Sequence, residues 1–295
     1  CFIAEQGCTL IVADYVGQES VVFANKCKDN DILEFYQTGL GDMHSFVASK
    51  IYPELEGLEL DRIKKEFKRE RQNAKAAGFD AVKFQKRNLD VCIPKKKKDS
   101  LKETPWGIMS YLNYKKRIEL GFRQYKEIDS FCKRINIDWF VSCWDIDSVK
   151  FIKKFNVKYH KVASVMITNL VLLTEIAKQK KLTFISTGMS TYKDINRAVK
   201  IFKKHGCKFI LMHSVSIYPC PDKYLNLKMI QSLKNKYNCK VGYSGHESSV
   251  TPSVIAAAMG AEVIERHITL RRTMWGTDQS ASLESTGIKS MVDGS

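Results

Sequence analysis

Strand-like and helix-like segments alternate along this chain with a regular beat, and that alternation restricts the fold more than any other feature. Short runs of apolar, largely β-branched and aromatic residues recur at 2–5, 79–84, 138–144, 158–164, 182–188, 209–215, 240–246 and 262–268. Segments of helical period separate most of them. Across 191–205 the apolar residues Ile195, Ala198, Val199 and Phe202 recur three or four apart, Thr191 and Asp194 form a capping-box start, and Gly206 supplies the stop. Eight βα units with nearly continuous apolar strands predict a (β/α)₈ TIM barrel, an α/β fold whose active site lies at the C-terminal ends of the strands. An open, doubly wound sheet would require a Gly-rich phosphate turn after the first strand, and none is present.

Two regions interrupt the beat. Residues 8–57 separate the first expected strand from its helix, where a barrel has a loop of a few residues. They contain apolar pieces such as Val21-Val22-Phe23, so they read as a long, at least partly ordered insertion after the first strand, with Asp14, Gln18, Glu19 and His44 as polar groups it could bring to the rim. Residues 87–117, with Pro94, Pro105, Trp106 and Gly107, follow the second strand on the catalytic face and are expected to act as a lid. Residues 1–295 are otherwise expected to form a single barrel domain.

Composition narrows the function classes. The chain has 295 residues, 44% of them hydrophobic, and no run of apolar residues long enough to span a membrane. Its nine cysteines show no framework spacing, and there is no leader pattern, so the expectation is a cytoplasmic protein with reduced thiols. Cys143 and Cys220 fall near the strand ends, but nothing pairs them with a base, which argues against a thiol nucleophile. The formal charge of +16 arises from lysines spread over helix faces, with one dense run at Lys95–Lys98 and no interleaved aromatic platform. Nucleic acid is therefore not the expected partner; an anionic small molecule is.

The strand ends hold the chemistry. They present Glu5, Lys83 with Gln85, Ser142, Lys161 with Ser164, Ser186 with Thr187, Ser216 with Tyr218, Ser244 with His246, and His267. Buried lysines require anionic partners, so Lys83, Lys161 and the surrounding hydroxyls read as a cradle for a phosphate and a carboxylate. His246 and His267 close the two strands of one βα unit and can meet on one rim, either as half the coordination shell of a divalent metal or as two unrelated structural histidines. His213 reads as a packing residue, and His160 and His205 as structural or solvated.

The motifs that carry these residues resemble, in order along the chain, those of the N-acetylneuraminate (sialic acid) synthases. They are Ala4-Glu5-x-Gly7, Ala81-Val82-Lys83-Phe84-Gln85, Lys161-Val162-Ala163-Ser164, Ile185-Ser186-Thr187-Gly188-Met189, His213 to Pro219, Gly242 to His246, Glu265 to Thr269 and Gly276 to Glu284. The resemblance implies condensation of phosphoenolpyruvate with the open-chain aldehyde of an N-acylmannosamine-type sugar, giving a nine-carbon 3-deoxy-2-keto acid and phosphate. It further implies Mn²⁺, or Mg²⁺ or Co²⁺, on His246 and His267, and phosphoenolpyruvate held by Lys83, Ser142, Lys161, Ser164, Ser186, Ser216 and Ser244. Glu5, Gln85, Tyr218 and Asp278 would meet the sugar or the metal-bound water, with Glu5, Lys83, Tyr218 and Asp278 counted as catalytic. A homodimer is implied as well.

The chain departs from this pattern in places. Gly7 runs into Cys8-Thr9-Leu10 where the family has an Asn-His-x-Gly loop, Met166 replaces an acidic residue that many members carry, and Ser216 stands where some have Asn. The small antifreeze-like domain of many bacterial members is not expected. Three alternatives stay open: a pseudaminate- or legionaminate-type sugar, a 6-phosphorylated sugar giving a 9-phosphate, and a barrel whose altered first loop impairs catalysis.

Overall fold

A computed structural model of the chain describes residues 10–15, 78–104, 106–269, 272–273 and 276–295. Eight parallel strands close a barrel: β1 (Leu10–Tyr15), β2 (Ala81–Lys86), β5 (Asp138–Cys143), β6 (Tyr159–Val162), β7 (Leu182–Ser186), β8 (Phe209–Ser214), β9 (Val241–Gly245) and β10 (Val263–Ile268), with β1 pairing both β2 and β10. Seven of the strands lie where the sequence predicts them. The first does not. Its place, expected at residues 2–5, is taken by Leu10–Tyr15, inside the stretch 8–57 read as an insertion. Both stretches are short apolar runs in the sequence; the strand that pairs with β2 and β10 is Leu10–Tyr15. Glu5, Gln18, Glu19, His44 and the rest of the expected insertion lie outside the described residues.

Local sequence explains the helical shell. Helix α7 (Tyr192–Lys204) begins with the expected reciprocal cap, Thr191 and Asp194 each bonding the other's backbone N–H, and it buries Ile195, Ala198, Val199 and Phe202. Helices α4 (Phe122–Ile135) and α8 (Met229–Tyr237) end on Asn136 and Asn238, both left-handed at φ 52° and 45°. Asparagine tolerates that conformation, and its N–H then closes the last turn.

Period-two alternation divides the barrel interior into layers. The lowest holds Phe140, Tyr159 and Phe184, with ring centroids 5.4–5.7 Å apart, alongside Met212 and Val263. Gly242 belongs here because a Cβ would lie 2.6 Å from the Met212 sulfur and from the Val263 carbonyl oxygen. Above this apolar plug the inward residues turn polar. Lys83, Ser142, Lys161, Ser186, Ser214, Ser244 and Glu265 are all buried.

The expected lid at 87–117 has structure of its own. It contains α1 (Leu89–Cys92), α2 (Lys95–Lys98), a hairpin of β3 (Leu101–Thr104) and β4 (Gly107–Ser110), and α3 (Tyr111–Ile118). Its ends are fastened together. The Lys86 ammonium lies 2.8 Å from Glu119, whose carboxylate also accepts from the Arg87 N–H at 3.0 Å. The lysine run Lys95–Lys98 is a short helix of this excursion, exposed at Lys95, Lys96 and Lys97.

Candidate active site

The polar layer converges on one oxygen atom. Glu265 Oε1 accepts from Lys161 Nζ at 3.0 Å, Lys83 Nζ at 3.2 Å and Ser244 Oγ at 2.9 Å, joining strands β10, β6, β2 and β9. Burial works against the Glu265 charge, but the Lys161 and Lys83 ammonium groups and the hydrogen bonds from Lys161 and Ser244 outweigh it and hold the carboxyl well below its ordinary range. Lys161 also donates to the Ser186 hydroxyl. The two lysines that the sequence assigns to an external anion therefore already share an internal one. Sequence reasoning gave Glu265 no role, although it lies within a quoted motif.

Neighbouring hydroxyls complete the arrangement. Ser142 and Ser214 carry buried hydroxyls with no hydrogen-bond partner among the described residues. Ser214 was also passed over in the sequence, in favour of Ser216. Ser164 accepts the Gly188 N–H at 3.1 Å, and a Cβ on Gly188 would lie 2.8 Å from the Ser164 oxygen and 2.5 Å from that of Ser216. Glycine is needed here because the loops after β6, β7 and β8 close on that point. Orphaned buried hydroxyls beside ammonium groups suit an oxyanion such as phosphate.

The two histidines stand above this layer. The His246 and His267 ring centroids are 5.5 Å apart, and the Tyr218 ring lies 4.0 Å from the first and 5.8 Å from the second. His246 Nδ1 is 2.6 Å from the Val215 carbonyl, so it donates there and turns Nε2 to the rim. Burial, assisted by the neighbouring His267, pushes the His246 pKa down to about 3, so the ring is neutral at ordinary pH. Two imidazoles on one rim fit a divalent metal as two of its ligands. Among the described residues no group of three or more His, Cys, Asp or Glu side chains surrounds the point. Asp14 of β1 stands in register with His267 on one side and Lys83 on the other.

The remaining candidates take lesser positions. Gln85 accepts from the Arg87 guanidinium at the mouth of the excursion. Asp278 opens the 3₁₀ turn Gln279–Ala281, and that segment is tied to the end of β10 through Leu283 N–H on the His267 carbonyl at 2.8 Å. No described contact places the Asp278 carboxylate at the histidines. His213 points away from the interior, 2.7 Å from the Leu225 carbonyl, and His160 is buried against Gln179. Burial pushes the Cys143 thiol far up, out of reach of thiolate chemistry.

The chain is also similar to known proteins in family and fold. A model of the NeuB family matches residues 72–295. The N,N'-diacetyllegionaminic acid synthase of Campylobacter jejuni is 37% identical over 219 residues, covering 72% of this chain and 65% of that protein. The N-acetylneuraminate-9-phosphate synthase of Drosophila melanogaster is 35% identical over 223 residues, covering 74% and 60%. The chain thus spans less than two thirds of these relatives. Among solved structures, the citrate-bound sialic acid synthetase of Leptospira borgpetersenii superposes with a TM-score of 0.73 at 26% identity, covering 98% of this chain and 83% of that one. The truncated 3-deoxy-D-arabino-heptulosonate 7-phosphate synthase of Thermotoga maritima shares the fold at 12% identity and a TM-score of 0.61, covering 98% and 85%. The barrel, its motifs and these matches together place the chain in the NeuB family.

Proposed function

We propose that this chain condenses phosphoenolpyruvate with the open-chain aldehyde of an N-acylated amino sugar, releasing phosphate and a 3-deoxy-2-keto acid. One observation carries the reading: a buried layer of two lysines and several serines lies directly beneath a pair of histidines at the C-terminal end of the barrel. Lys83 and Lys161 supply point charges for phosphate and carboxylate oxygens, and the ion pairs each makes with Glu265 offset the cost of burying their charge. The Ser142 and Ser214 hydroxyls and those of Ser164 and Ser216 orient the same anion. Tyr218, 42% exposed beside His246, faces the side from which the sugar enters. His246 and His267 would hold the divalent ion, which when bound supplies Lewis-acid polarisation of the sugar carbonyl. The fixed layer requires no rearrangement as charge develops, which is how a preorganised polar site lowers a barrier.

The test is phosphate release from phosphoenolpyruvate, with N-acetylmannosamine or its 6-phosphate, in the presence of Mn²⁺ and again in excess chelator. The expected result is sugar-dependent release that chelation abolishes and Mn²⁺ restores, with the preferred sugar identifying the product class. No release with either sugar, or full release in chelator, contradicts the reading.

A further inference from the structure

The residues next to the two histidines form a second constellation, on the outer face of the barrel wall. Glu247 follows His246, and Arg266 precedes His267. Both side chains are completely buried, and Arg266 Nη1 lies 2.9 Å from Glu247 Oε1. The same nitrogen donates to Ser253 Oγ and to the Ser249 carbonyl, each at 2.9 Å, and Nη2 donates to the Glu247 carbonyl. Glu247 is held from its other side. Tyr243 donates its hydroxyl to Oε2 at 2.7 Å, and Ser253 donates to Oε1 at 3.2 Å. Even the backbone makes room, since a Cβ on Gly245 would lie 2.6–2.7 Å from both carboxylate oxygens.

Such a pair is costly to bury and is not by itself a strong source of stability. Its geometry is informative instead. It is a rigid, multiply bonded link between the residue beside one imidazole and the residue beside the other, and it bridges the end of β9 and β10. Any change in its length moves the two imidazoles relative to one another. A metal bond is sensitive to that separation within a few tenths of an ångström.

We propose that the Glu247–Arg266 pair positions His246 and His267, fixing their separation and thereby setting the affinity of this rim for a divalent metal. The inference rests on the metal reading given above. Neither residue touches substrate or metal; both are positioning residues.

The test measures Mn²⁺ binding to the purified chain, without substrate, from the electron paramagnetic resonance signal of the free ion. The proteins are wild type, Arg266→Lys, Glu247→Gln, His246→Ala, and Ile176→Ala as a core truncation on the helical shell away from the rim. Groups that orient metal ligands typically change affinity 10–100-fold when altered. Arg266→Lys and Glu247→Gln should accordingly raise the Mn²⁺ Kd by about tenfold or more, and His246→Ala should abolish binding. Ile176→Ala, although less stable, should bind as wild type does. Unchanged Kd in folded Arg266→Lys and Glu247→Gln overturns the inference while leaving the metal reading intact. Absence of Mn²⁺ binding in wild type, or full binding by His246→Ala, overturns the metal reading and the inference with it. A Kd raised equally in Ile176→Ala reduces the pair to general stability and also overturns the inference. Should the charge variants fail to fold, Tyr243→Phe, which removes only the hydroxyl on Glu247, decides: a several-fold rise in Kd supports the positioning role and an unchanged Kd refutes it.

Discussion

At the scale of single residues, Glu265 links stability to ligand binding. Glu265→Gln would leave two buried ammonium groups without their shared carboxylate. Breaking a buried pair in this way costs about 3–5 kcal/mol, which should appear as a lower urea midpoint. Added inorganic phosphate or phosphoenolpyruvate resupplies an anion, so either should raise the midpoint more in the variant than in wild type. An equal rise in both would mean that the ligand does not meet Lys83 and Lys161. His160 gives a pH signature. Burial pushes its pKa down to about 4, against the opposing hydrogen bond that the ring donates to the Gln179 side-chain oxygen. The fold thus favours the neutral ring: its contribution is complete above the ordinary value near 6.5 and falls away as pH drops from there toward 4, by roughly 3 kcal/mol. His246 adds to the same acid limb. In His160→Asn the limb between pH 6.5 and 4 should flatten; an unchanged slope would assign it to other groups. The lysines, serines and histidines of the site were legible as strand-end residues of the right chemistry. Glu265 and Ser214 were not. Glu265 lies inside β10, three residues before its end, and Ser214 closes β8 just ahead of the loop serine read in its place. The partners of Glu265 come from β2, β6 and β9, which only barrel closure brings together.

At the scale of elements, the excursion between β2 and α4 hangs on Asp145. Its carboxylate accepts from the Asn88 N–H at 2.6 Å while capping α5 (Ile146–Ile152) through the Ser148 N–H at 2.7 Å. Asp145→Ala should therefore cost about 1 kcal/mol for the lost cap and also release the first turn of the excursion. Amide exchange should accelerate across 88–93 more than across α7; a uniform increase would show that Asp145 serves only its own helix. Elements with complete local signals were readable in advance. Helix α7 has its cap, its apolar period and its glycine stop within one window, and it lies where they put it. β1 had no such signal, because 2–5 and 10–15 are both short apolar runs. The strand at 10–15 is defined by its pairing with β2 and β10, partners that a local window does not contain. The interior of 87–117 was likewise hidden, since elements of four residues carry too few positions for a period to emerge.

At the scale of the whole molecule, two layers divide the labour: an apolar plug of Phe140, Tyr159 and Phe184 below, and a charged, hydroxyl-rich layer above it. The plug denies water a route through the barrel, so the Lys–Glu layer meets solvent only from the rim and its electrostatics stay strong. Among the described residues no helix is long and apolar enough to cross a membrane. The pairing of β1 with β10 has a consequence in time. Strand β1 leaves the ribosome early and can hydrogen-bond β2 soon after, but its other edge must wait until β10 has been made. Until then the growing sheet has two open edges, which invite pairing with other chains. Lys83 and Lys161 meanwhile wait for the carboxylate of Glu265, which arrives on that last strand. Ring closure and charge neutralisation are thus a single late event, and a nascent chain stalled before Glu265 would have neither.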